Sequence, residues 1–298
     1  MLKTGLKKEM MFFTRSFRMW GIVLAAVLFA VVSPLLMKVS FMMLDAIGDM
    51  DFSMEDTVPN SGDNAEGVNN MADFSIEIAG GDMDFGSLSD AEFASLGVIS
   101  SLGDLTGTLM LVAMLVTMYS AGGELKKRSM IIPQNAGLTP QLYILPKFLV
   151  YPLAMAVFGF CGIWISYGTC CLMFADNDIT IGAVAVTALV AGVFDAFMTA
   201  AYFTLGLCTA KAGLSVVIMY GGNAILTVLF NALGADKFHP FTLTSQAQSA
   251  LMGQEIDHAN LWGSIGITVL IILLCYFVTL FVISAKRIDN RGKEEMEL

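Results

Sequence analysis

Six long stretches of this chain carry almost no charge, which leaves few folds open to it. Residues 19–37 lie between Arg18 and Lys38, and residues 105–123 between Asp104 and Glu124. Residues 148–175 follow Lys147, and residues 179–210 are interrupted only by Asp195. Residues 212–235 and 258–285 complete the set. Each is near or above the roughly 20 residues that cross about 30 Å of hydrocarbon at 1.5 Å per residue. In lipid the backbone must satisfy its own hydrogen bonds. No ten-residue alternating pattern runs through these stretches, so they read as helices and not as barrel strands. The composition agrees, with 56% hydrophobic and 14% charged residues against about 25% charged in soluble domains. A soluble globular fold is excluded. A net charge of -10 also excludes a nucleic-acid binder, which needs basic clusters. The 5 cysteines are odd in number and lack metal-ligand spacing, so they form no disulfide scaffold.

The reading is therefore an all-α integral membrane protein with six spans, at 19–39, 98–121, 147–175, 179–210, 213–235 and 261–285. Pro152 falls inside the long third stretch, which suits a tilted or kinked helix better than two spans. Between the fourth and fifth stretches stand only Ala210, Lys211, Ala212 and Gly213, a tight helical hairpin. Basic residues mark the cytoplasmic side of a span. Lys3, Lys7, Lys8, Arg15 and Arg18 precede the first span. Lys126, Lys127, Arg128 and Lys147 join the second to the third, and Lys286, Arg287, Arg291 and Lys293 follow the last. Six spans put all of these, with Lys211, on one side and only Lys38 and Lys237 on the other. Both termini are expected in the cytoplasm of a multi-pass cell-membrane protein. The first apolar run has no clean cleavage site and is kept as a span. Residues 1–18 mix basic residues with Met10, Met11, Phe12, Phe13 and Phe17, a pattern that fits an amphipathic helix on the inner leaflet and equally a plain basic flank.

Residues 40–97 form an acidic loop outside the membrane. From 40 to 104 there is no Lys or Arg, and 14 of the chain's 26 acidic residues lie there. Such a mouth draws in cations, although a solvated loop is the plainer reading. Ser89-Asp90-Ala91-Glu92 fits a capping box, so the second helix is expected to start there and run inward. The acidic spacing fails the calcium-loop pattern, and no metal site is expected. The other outer connection, 236–260, is too long for a hairpin and only modestly polar. Short interfacial or re-entrant helices packed on protein suit it.

No P-loop, HExxH or GxSxG motif is present, so the chain is not expected to be an enzyme or to bind a cofactor. Asp195 is the one acidic residue in the middle of a predicted span. By default it faces the bundle interior or water, either as a contact on a transport pathway or as a hydrogen-bonded packing residue with Asn223 or Thr199. The segment 122–146 carries Glu124, Lys127, Arg128, Ile131, Ile132, Pro133 and Tyr143, closed by Lys147. A basic loop would satisfy topology without Ile131, Ile132 and Tyr143, so this stretch reads as a docking surface.

This layout resembles the permease subunit of a type 2 ABC exporter, the six-helix class that works with a separate ATPase. In that family a glutamate follows the second helix, then come a short coupling helix and a proline, then a lysine at the start of the third. Glu124, Pro133 and Lys147 match those points. His239-Pro240-Phe241 resembles the family's Asn/Ser-Pro-Phe element, with His in the first place, and Pro146 stands where the family often has Gly. The resemblance implies an N-terminal amphipathic segment and a re-entrant outer element before the last helix. It implies partners: an ABC-type ATPase subunit that holds ATP and Mg2+, a second permease chain (identical or paralogous), and membrane lipid. The function it implies is export of a peptide, lipid or drug-like substrate, coupled through Glu124, Lys127, Arg128, Ile131, Ile132, Pro133, Tyr143 and Lys147, along a pathway near Asp195 and Asn223. The other readings are a non-transporting polytopic sensor or partner protein and an intramembrane enzyme built on Asp195.

Overall fold

The structure, a computed structural model, describes residues 2–15, 17–48, 75–78, 81–84, 90–117, 140–174, 178–209, 212–235, 238–254 and 257–296. Eight helices run through these residues: α1 (Leu2–Arg15), α2 (Phe17–Gly48), α3 (Asp90–Thr117), α4 (Pro140–Met173), α5 (Ile181–Thr209), α6 (Ala212–Ala232), α7 (Thr242–Leu251) and α8 (His258–Met296). Four stretches are long and apolar enough to cross a membrane: Met19–Met43 in α2, Ile144–Met173 in α4, Ile181–Thr209 in α5 and His258–Ser284 in α8. The fold is all-α and membrane-spanning. Within the acidic stretch, β1 (Ser75–Ile78) and β2 (Gly81–Asp84) pair antiparallel, with Ser75 opposite Asp84 and Ile78 opposite Gly81. The sequence reading did not foresee this ribbon. Two strands alone are marginal in water, and it adds little to the bundle.

α5 is the central rod. Of the four spanning stretches it is the most enclosed, with Ala188, Val190, Ala191, Phe197, Met198, Tyr202 and Phe203 buried. Lipid supplies no hydrophobic drive between helices, so they associate by close packing of small residues and by hydrogen bonds. The α4–α5 seam shows the packing. A Cβ at Gly192 would stand 2.9 Å from the Ala156 carbonyl oxygen. On α4, a Cβ at Gly159 would collide with the Asp195 carboxyl and lie 3.3 Å from the Ala191 carbonyl. The hydrogen bonds appear elsewhere: Ser166 Oγ to Ser101 Oγ at 2.7 Å joins α4 to α3, and Thr204 and Thr279 hydroxyls 3.0 Å apart join α5 to α8.

Helix starts follow local chemistry. α3 begins at Asp90, inside the capping-box sequence. α4 begins at Pro140, where proline's missing N–H costs nothing, and it continues through Pro146 and Pro152. At the end of the bundle where α2 and α4 begin, α1 packs along α4. At the opposite end, α7 covers the starts of α3, α5 and α8.

Candidate functional site

Three places gather the polar groups that a span does not ordinarily carry. The first is the α1 corner. Lys147, on the second turn of α4, is only 4% exposed, and its Nζ lies 4.0 Å from Glu9 Oε1 of α1. One turn on, Tyr151 meets the buried Phe13 ring edge-on at 5.3 Å. Lys7, Lys8, Met10 and Met11 of α1 remain exposed. α1 is thus a helix seated on protein through one face, with a basic and thioether-bearing face turned outward. Tyr143 lies in the first turn of α4. Glu124, Lys127, Arg128, Ile131, Ile132 and Pro133 fall outside the described residues.

The second place is the interior of α5. Asp195 is 2% exposed, and its Oδ2 has no hydrogen-bond partner. The carboxyl lies over Gly159, where the absence of a side chain makes room for it. Thr199, one of the two partners considered from sequence, donates its hydroxyl instead to the Asp195 backbone carbonyl at 2.6 Å. The other, Asn223, is a residue of α6 whose side chain is not among those described.

The third is the segment before α7. His239 and Pro240 are buried, and Phe241 stacks its edge on Phe194 at 5.5 Å and Phe197 at 5.9 Å, both well inside α5. The His239 ring sits between Phe230 and Phe241, each 5.4 Å away. The Phe241 N–H donates to His239 Nδ1 at 3.2 Å. That assigns the imidazole proton to Nε2, which is buried without a partner. α7 is tied on by the Thr187 hydroxyl to the Ala247 carbonyl at 3.4 Å and by Gln246 Nε2 to Ser264 Oγ at 3.4 Å. Burial holds the His239 pKa below its ordinary 6.5. Between the lowered value and 6.5 the unfolded chain binds more protons, so stability rises with pH. The contribution is complete above about pH 6.5 and falls away as the pH drops below it. The apparent Tm of the detergent-solubilised chain is therefore expected to decline between pH 7 and pH 5. His239→Leu flattens that decline, and a slope unchanged in His239→Leu would show that other groups cause it.

Sequence reading missed one residue. Asp104 bordered an apolar run there and fell inside the expected span at 98–121, but drew no reading of its own. Starting α3 at Asp90 places Asp104 nearly four turns inside the helix, which is the signal that marks it. Its Oδ2 lies 2.6 Å from Ser33 Oγ on α2. Compared with protein-family models, with curated proteins and with solved structures, the chain matches none. What its own residues establish is an all-α, multi-pass membrane protein with several long apolar helices.

Proposed function

We propose that the chain is the permease subunit of an ATP-driven ABC exporter, with six spans, both termini in the cytoplasm and the 238–251 segment re-entering from the outside. The observation that carries this reading is the α1 corner. A segment that follows Glu124 and ends at Lys147 leads directly into the helix on which α1 sits. An ATPase subunit docked on Lys127, Arg128, Ile131, Ile132, Pro133 and Tyr143 would push on the start of α4. Because Lys147 and Tyr151 also hold Glu9 and Phe13, that push reaches α1 and, through it, α2. ATP and Mg2+ belong to the ATPase. The permease contributes two arrangements of its helices, which the cargo must bind unequally. A second permease chain completes the pathway.

The test is purification in mild detergent from the native membrane, with an assay of ATP hydrolysis. A co-purifying P-loop ATPase is expected. Glu124→Lys is expected to leave the chain folded and the ATPase bound, with hydrolysis continuing and export falling at least tenfold. Normal export by Glu124→Lys removes the coupling role. A chain that purifies alone, after controls for subunit loss, removes the exporter reading.

A further inference from the structure

Asp104 is a carboxyl on the outside of the chain, beside a membrane-spanning stretch. Its partner Ser33 lies inside the Met19–Met43 stretch of α2, 14 residues after its start and 10 before its end. Asp104 itself is exposed, whereas Ser33 is buried. Among the described residues no cation of this chain pairs with it. Lys38 lies over the rings of Phe41 and Phe174, 5.0 and 4.6 Å from their centroids. Lys147 is held at the α1 end beside Glu9. A carboxyl in that position is costly against lipid and marks a ligand or ion pathway.

The surroundings narrow the ligand. On α3 the neighbouring Gly103 and Gly107 have nothing within 4 Å of where a Cβ would stand, so bare helix backbone flanks the carboxyl for a full turn on one side. On α2 the adjoining turn exposes Val32, Leu35 and Leu36. Ser33 Oγ is 2.6 Å from Asp104 Oδ2 and 2.8 Å from the Phe29 carbonyl. Its single hydroxyl proton can serve either acceptor, so Ser33 can turn toward the carboxyl or away from it. A small metal ion demands six to eight oxygen ligands, which one carboxylate and one hydroxyl do not supply. A lipophilic organic cation demands one counter-charge and apolar surface, and both are here.

We propose that Asp104 and Ser33 form a lateral site for a lipophilic organic cation, of the alkylammonium or phosphonium kind, entering from the bilayer. The exporter reading enters only in making that cation the cargo, since binding itself needs no ATPase. Tritiated tetraphenylphosphonium is the probe, measured at equilibrium on the full chain in lipid nanodiscs, with protein-free nanodiscs subtracted. Wild type is expected to bind saturably. Asp104→Asn keeps the shape and the contact with Ser33, and is expected to weaken binding tenfold or more. Ser33→Ala is expected to weaken it a few-fold, and Asp178→Asn, an exposed carboxyl before the Ile181–Thr209 stretch, not at all. Monodisperse size-exclusion profiles establish that each variant is folded. Equal binding by wild type and Asp104→Asn overturns the site. So does a disulfide between two Asp104→Cys chains mapped by mass spectrometry, because a second copy then covers the carboxyl. Saturable binding lost in Asp104→Asn would stand even if no ATPase co-purified.

Discussion

Gly159→Leu is expected to lower the apparent Tm of the purified chain by roughly 6–12 °C. The new side chain must enter space held by the Asp195 carboxyl and the Ala191 carbonyl across the α4–α5 seam. Overpacking a tight interior costs about 1–3 kcal/mol, and each kcal/mol moves Tm by about 2–4 °C in chains of 150–250 residues. Here the upper end applies, because Gly159 faces the Asp195 carboxyl and the Ala191 carbonyl inside the α4–α5 seam. Helix propensity pulls the other way, since leucine is better than glycine in a helix by roughly 0.8 kcal/mol. A Tm that rises in Gly159→Leu would thus show that the seam is not close-packed. The pairing with Asp195 has its own test. Gly159→Ala and Asp195→Ala are each expected to destabilise, and the double variant less than the sum, because removing the carboxyl clears the place the new methyl needs. Strict additivity would separate the two residues.

Lys147→Glu is expected to release α1. The change puts a carboxylate beside Glu9 in a corner where Lys147 is 4% exposed. With Lys147 4% and Glu9 15% exposed, two carboxylates there repel with little solvent between them. The readout is limited trypsin digestion of the chain in nanodiscs. Cleavage after Lys7, Lys8 and Arg15 should accelerate at least tenfold, while cleavage elsewhere changes little. Exchanging the partners, Glu9→Lys with Lys147→Glu, restores most of the protection. If the single variant is digested like wild type, Phe13 and Tyr151 alone hold the helix.

Four of the six expected spans, those in α2, α4, α5 and α8, match long apolar helices, and they were legible because lipid is a severe solvent. It excludes charge, so a border such as Arg18 can be read by eye, and the stretches Met19–Met43 and Ile181–Thr209 follow, although Lys38, read as a border, lies inside the first of them. The start of α3 was legible for a different reason: Ser89-Asp90-Ala91-Glu92 is local chemistry. The start of α4 at Pro140 was less so, because Pro146 and Pro152 look like breaks and yet stay inside a helix whose neighbours hold it. What crosses between helices could not be read at all. Nothing near Lys147 in sequence points to Glu9, and nothing near Gly159 points to Asp195, because each pair is made by packing. Asp104 lay between these cases. A residue that looks like the rim of a span from one side becomes its middle once the helix start is fixed.

The seat of α1 also sets an order of events during synthesis. Phe13 leaves the ribosome 138 residues before Tyr151, the ring it finally meets. At about 5–20 residues per second, α1 spends on the order of 7–28 s without its place to sit. Its outward face of Lys7, Lys8, Met10 and Met11 suits the headgroup boundary of the bilayer, so the surface that is left over in the finished protein is the one that can shelter the helix while it waits.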